Sequence, residues 1–287
     1  MIRLTLVSLS LLACNPAENA ENSETGFQGG ENQEAPSQEL GPDVNVDTQA
    51  ADVVAAVPDL FEVVPGEEQV AFLAFTSCLD LKTKNPEAPS GKYQLYQRDE
   101  AGQLTKFDAH CDMDEDGGWT MVLNYVHLGG TNPPTQTLTD RFPQFDKNNL
   151  GDDEQNTEFF GHVNPAFLSL WTFTELRFFC RTNAHNRVIH FKTDAATCID
   201  YLKTGVGNCD DVRNSFTPLT GHIGDIPGVS NNGLVDQQQL AMTQRTFRDN
   251  NGTRNWDIRG GVDEDDWECD DDVDNQSSST IHRIWFR

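Results

Sequence analysis

The chain has 287 residues, with 46 Asp and Glu against 20 Lys and Arg, and a formal net charge of −26. That balance excludes nucleic-acid binding, which needs clustered positive charge, and it repels anionic lipid headgroups. The charge is also uneven: residues 15–70 hold 13 acidic residues and no Lys or Arg, and Asp263 to Asp274 hold nine more, so the remainder is near balance.

Residues 1–14, MIRLTLVSLSLLAC, open with Arg3 and an apolar run from Leu4 to Ala13. The run is too short for a permanent membrane span and reads as an export signal. Leu11-Leu12-Ala13-Cys14 resembles the lipobox of bacterial lipoproteins. The resemblance implies lipidation at Cys14 and a protein held at the outer membrane or cell surface, facing the exterior or the periplasm, by its lipid alone. The other reading is an ordinary signal peptide with an incidental cysteine. Residues 15–70 are rich in Asn, Gln, Gly and Pro, with Phe27 and Phe61 as their only aromatics. Such a segment buries too little apolar surface to offset its ordering entropy, and its like charges extend it. It reads as a disordered acidic tether, with Ala50 to Val64 apolar enough for a short element.

Residues 71–287 contain all five tryptophans and most phenylalanines, enough for one large domain. Lys92 to Arg98 reads as a strand. The run ending at Cys111 and the run from Trp119 flank an acidic turn with two glycines, which predicts a hairpin. Glu175 to Arg181 and Arg187 to Thr193 pair around a turn at 182–186, and Thr280 to Phe286 forms a terminal strand. Asn164-Pro165 before Ala166-Phe167-Leu168 reads as an N-cap and first-turn proline of a short helix. Long polar loops, notably Gly205 to Asn232, fill the rest. The class is α+β, β-rich, with few short helices and much irregular structure.

Without Cys14, six cysteines remain: Cys78, Cys111, Cys180, Cys198, Cys209 and Cys269. An even set in an exported, loop-rich domain predicts three disulfides, with connectivity left open. A zinc site is the rival reading, but no C-x-x-C or clustered Cys/His pair occurs.

Two acidic stretches invite a calcium reading. Asp112, Asp114, Asp116 and Gly117 match the opening of a helix-loop-helix calcium loop, but its last ligand position is Leu123 and the flanks are strands. That stretch reads as a solvated turn. In Asp263 to Asp274, Asp270, Asp272 and Asp274 alternate around an anchored cysteine, Cys269. Alternating carboxylates in a turn converge on one ion, and unscreened they repel. The expected calcium ligands are Asp266, Asp270, Asp272 and Asp274, with Asp263 in reserve; the competing reading is a solvated acidic loop. Nearby Trp256 and Trp267 offer faces for a sugar ring or a cation, or else pack in the core. Gly221 to Gly233 is a polar glycine-rich loop of the kind that contacts ligands. The seven histidines are scattered and read as structural or surface residues. No G-x-S-x-G, H-E-x-x-H or P-loop occurs, and no pair of carboxylates stands out for hydrolysis.

SCLDLK from Ser77, SGKYQLY from Ser90, CDMDEDGGWT from Cys111, EFFG from Glu158 and HRIWFR from His282 follow one another in an order that resembles fibrinogen C-terminal-like domains, including their intelectin-like branch. The resemblance spans about Ser77 to Arg287. It implies a disulfide-bonded recognition domain that binds a glycan, an acetylated group or a protein terminus near calcium, and no catalysis. It also implies the pairs Cys78–Cys111 and Cys198–Cys209, which leaves Cys180–Cys269. The vertebrate form of the family's calcium loop and the intelectin Glu/His signature are missing, so no ligand carries over. The expected function is calcium-supported recognition of a glycan or similar small epitope on a surface. The alternatives are an adhesive protein–protein module without a glycan pocket and a secreted hydrolase.

Overall fold

The computed structural model describes residues 74–98, 102–114, 116–145, 154, 158–209, 211–224, 242–244, 246–248, 254–261, 266–271 and 278–287. The expected signal peptide, tether and Ala50–Val64 element lie outside this set. Among the described residues, no helix is long and apolar enough to cross a membrane.

Three short helices flank the strands: α1 (Cys78–Lys84), α2 (Pro165–Leu168) and α3 (Ala196–Thr204). Ser77 caps α1 by accepting from the Asp80 N–H, and Asp80 meets Lys84 one turn on. Asn164 Oδ1 accepts from the Phe167 N–H at 2.6 Å ahead of Pro165, as the sequence predicts for α2. Gly205 ends α3 in the left-handed region, φ 72°, with its N–H on the Tyr201 carbonyl.

The described strands are β1 (Gly91–Arg98), β2 (Leu104–Asp112), β3 (Trp119–His127), β4 (Thr137–Leu138), β5 (Gly161–Val163), β6 (Leu176–Thr182), β7 (Val188–Thr193), β8 (Phe216–Pro218), β9 (Phe247–Arg248), β10 (Arg254–Arg259), β11 (Asp266–Cys269) and β12 (Thr280–Phe286). Among them, nine form one sheet with the path β1-β2-β3-β12-β6-β7-β8, and β5 joins β4 to β3. A small sheet runs β11-β10-β9. The main sheet is antiparallel except for β4 beside β5. The expected β2–β3 hairpin is present, and its turn places Asp116, Gly117 and Gly118 at positive φ. At Gly118 a Cβ would stand 2.9 Å from the Leu79 backbone, so the turn needs glycine for the close approach of α1 as well as for its φ.

The terminal strand β12 lies between β3 and β6, and β3 and β12 are buried along their whole length. Burial on both faces fits the sequences WTMVLNYVH and TIHRIWF, where large apolar residues occur at neighbouring positions rather than in strict alternation. One face carries the main core, from Leu123 and Tyr125 through Phe178 and Phe191 to Trp256 and Phe286. The other carries Trp119, Met121 and Trp285, with Arg177 stacked 3.8 Å from the Trp285 ring and ion-paired to Asp112. The disulfides join Cys78 to Cys111, Cys180 to Cys269 and Cys198 to Cys209. The first ties α1 to β2, the second ties β6 to β11, and the third closes the loop after α3.

Candidate functional site: the acidic corner at Cys269

β10 and β11 pair in register from Trp256 opposite Cys269 to Arg259 opposite Asp266. Cys269 bridges to Cys180 in β6, so the end of the acidic strand is fixed covalently to the main sheet. Directly after the bridge the chain turns, with Asp270 at φ 61°. Aspartate tolerates this conformation better than most residues because its short side chain bonds locally.

The turn brings two carboxylates under cover. Asp270 is 5% exposed and Asp271 7%. Asp270 Oδ2 lies 2.9 Å from Arg187 Nε, and the same guanidinium donates to the Asp270 carbonyl from Nε at 3.0 Å and Nη2 at 2.5 Å. Asp271 Oδ1 accepts from the Cys269 N–H at 3.3 Å, and its Oδ2 lies 3.3 Å from His185 Nε2. The loop before residue 225 closes on the same spot. A Cβ on Gly224 would meet Asp270 Oδ2 at 2.8 Å. His222 stands nearby, with Nδ1 accepting from the His190 N–H at 3.0 Å. Burial lowers its pKa, and the Asp270 charge opposes that shift.

Of the expected calcium ligands, Asp270 is the one whose side chain is placed. Asp266 sits in β11, its backbone alone described. Asp263, Asp272 and Asp274 lie outside the described residues, as does most of the Gly221 to Gly233 loop. Neither protein-family models nor curated proteins match this chain.

The tryptophans correct one expectation. Trp256 and Trp267 are both fully buried, so neither offers an open face to a sugar. Trp256 donates from its indole N–H to the Met242 carbonyl at 3.0 Å and meets His282 edge-on. Trp267 stacks flat on His127, centroids 4.2 Å apart and planes 5° from parallel. A fold with a small second sheet needs apolar bulk where that sheet packs, and the tryptophans supply it.

These contacts expose two histidines that reading the sequence treats as ordinary. His127 in β3 and His282 in β12 are fully buried. His127 Nδ1 lies 2.9 Å from Glu154 Oε1, and Glu154 also accepts from the Leu128 N–H and the Thr131 hydroxyl. His282 donates from Nε2 to the Glu268 carbonyl at 2.9 Å, which fixes the tautomer and leaves Nδ1 as a lone pair. Burial pushes the His282 pKa down to about 3, which leaves that ring neutral near pH 7, and burial also lowers the pKa of His127 against the opposing pull of Glu154. His282 also lies near the Cys180–Cys269 sulfurs, but the bridge occupies both cysteines and leaves no thiolate for a metal. The sequence signal for these histidines is their position in strands with apolar residues at neighbouring positions, where both faces are buried.

Proposed function

We propose that the chain is an extracytoplasmic recognition protein with a fibrinogen C-terminal-like domain, which binds a glycan or similar small epitope at a surface supported by calcium. The protein acts by binding rather than catalysis, from the end of a lipid-anchored acidic tether. The observation that supports the ion is the corner at Cys269. A disulfide fixes the end of an acidic strand, and the next residue turns its carboxylate inward beside the Gly224 loop.

Calcium takes about six to eight oxygen ligands, more than two carboxylates provide. The rest come from the adjoining acidic run, with Asp266, Asp272, Asp274 and Asp263 as the carboxylates within reach in sequence. Arg187 neutralises Asp270 in the ion-free corner, so the ion competes with the guanidinium or recruits the Asp270 carboxylate edge-on beside it. Bound calcium then orders the surrounding loops or coordinates ligand hydroxyls directly.

A glycan array probed with the full exported chain, in calcium and in chelator, tests this reading. Hits that need calcium support it. Calcium-independent capture of a single protein and no glycan supports the adhesive module instead. Release of reducing sugar over time makes the chain a hydrolase and ends the proposal.

A further inference from the structure

A second concavity lies on the opposite arm of the main sheet, where β1 and β2 leave β3. β2 pairs with β1 from Leu104 to Cys111 but meets β3 only at Cys111 and Asp112. From Leu104 to His110, its other edge has no strand beside it among the described residues. The segment Asp140 to Gln144 and Glu158 stand across this gap. Together they enclose a groove of about 330 Å³, at the lower end of the size range of small-molecule sites.

The groove is charge-balanced by construction. It is lined by three carboxylates, Asp108, Asp140 and Glu158, and three cations, Lys92, Lys106 and Arg141. Lys92 Nζ stands between two of the carboxylates, 3.0 Å from Asp108 and 3.6 Å from Glu158. Arg141 donates to the Glu158 carbonyl at 3.3 Å. Phe107, half-buried, supplies apolar surface, and both it and the buried Phe142 are braced edge-on against Trp171. Gln144 also lines the groove and is 5% exposed. Its amide nitrogen donates to the Asp108 carbonyl at 3.0 Å and, more weakly, to the Phe142 carbonyl at 3.3 Å. Its amide oxygen is buried with no hydrogen-bond partner among the described residues. A buried acceptor without a donor costs about 1–3 kcal/mol.

We infer that this groove is a calcium-independent subsite for a neutral saccharide unit. The inference rests on the glycan-recognition reading and assigns part of it a place. Interleaved charges of opposite sign disfavour an ionic ligand: the carboxylates repel phosphate or sulfate, and the ammonium and guanidinium groups repel a metal ion. A hydroxyl suits both kinds of neighbour, because it donates to Asp108 or Glu158 while accepting from Lys92 or Arg141. The Asp108 carbonyl points to Gln144, away from β1, so by strand alternation the backbone N–H and C=O of Lys106 face the gap as well. An array of hydroxyls on a ring with one apolar face matches this wall of alternating donors and acceptors beside phenylalanine.

The test uses the full chain and the double variant Asp108→Asn/Glu158→Gln, with a panel of glucose, galactose, N-acetylglucosamine, maltose and lactose. Saturation-transfer NMR is recorded in calcium and in chelator. Both carboxylates are about half exposed, so the variant should melt within about a degree of wild type, which a thermal scan checks. The expected result is transfer to at least one neutral sugar in chelator, weakened at least tenfold in the variant. Sugar binding that appears only in calcium and survives the double substitution overturns the groove while leaving the calcium reading standing. Binding in chelator that the variant loses, with no added effect of calcium, keeps the groove and removes the calcium reading. Extended peptides that bind and shift β2 amides, with no sugar doing so, also overturn it, because the edge is then a strand template.

Discussion

The acidic corner at Cys269 and the groove beside β2 are both built from carboxylates, and they solve the charge problem in opposite ways. At the corner, Asp270 and Asp271 are almost fully buried, each paired with one basic side chain, Arg187 or His185, and fixed by the Cys180–Cys269 bridge. In the groove, Asp108 and Glu158 are half exposed and share Lys92. Buried pairs are expensive to break and set the local structure, whereas exposed pairs contribute little to stability and leave their oxygens open to exchange. A count of acidic residues therefore marks neither place as a site. What each carboxylate faces decides what it can do.

The largest expected effect follows from the bridge that fixes the corner. Cys180–Cys269 spans 89 residues and Cys198–Cys209 spans 11. Loop-closure entropy alone predicts that removing the first as a Cys→Ala pair costs about 5 kcal/mol, against about 3 kcal/mol for the second. Denaturant melts of the two double variants check the order, and equal losses would mean that the corner is not under special covalent control.

Next comes the ion pair. Arg187 is 40% exposed, so Arg187→Ala removes a half-exposed partner from the buried Asp270 carboxylate and should cost on the order of 1–3 kcal/mol. Arg187→Ala/Asp270→Asn should lose less than Arg187→Ala alone. If calcium binds at the corner, millimolar calcium restores part of the loss in Arg187→Ala.

The pH response separates burial from exposure. Burial lowers the His282 pKa to about 3 and that of His110 to about 4, well below the unfolded value near 6.5. The unfolded chain thus takes up protons that the folded one refuses. Their contribution is complete above about pH 6.5, and stability falls by about 1.4 kcal/mol per pH unit for each histidine down to its folded pKa. Thermal melting between pH 7 and 4.5 reads this slope, and His110→Phe should flatten part of it. The smallest effect belongs to the groove. Lys92→Met removes an exposed pair and should change stability by less than about 1 kcal/mol, in contrast to Arg187→Ala.

The same contrast explains what could be read from the sequence. The β2–β3 hairpin, the β6–β7 pair, the terminal strand and the Asn164-Pro165 cap all rest on signals within a few residues, and each appears in the fold. The position of β12 between β3 and β6 has no local signal, because it joins β12 to partners about 100 residues away or more. α1 and α3 are short and lack a strong periodic pattern. At the corner, the acidic run is obvious, but its basic partner Arg187 is 83 residues distant. The groove is less legible still, since its residues come from β1, β2 and a later segment and are unremarkable one at a time. Trp256 and Trp267 show the converse: tryptophan beside an acidic run suits a ligand platform or a core equally, and packing of the small sheet made them core.

Calcium titration of the full chain by calorimetry, repeated with Asp272→Ala, tests the central proposal most directly. The account predicts saturable heat for about one ion per chain, a higher melting temperature with the ion, and loss of both in the variant. No heat and no thermal shift in the unsubstituted chain would contradict it.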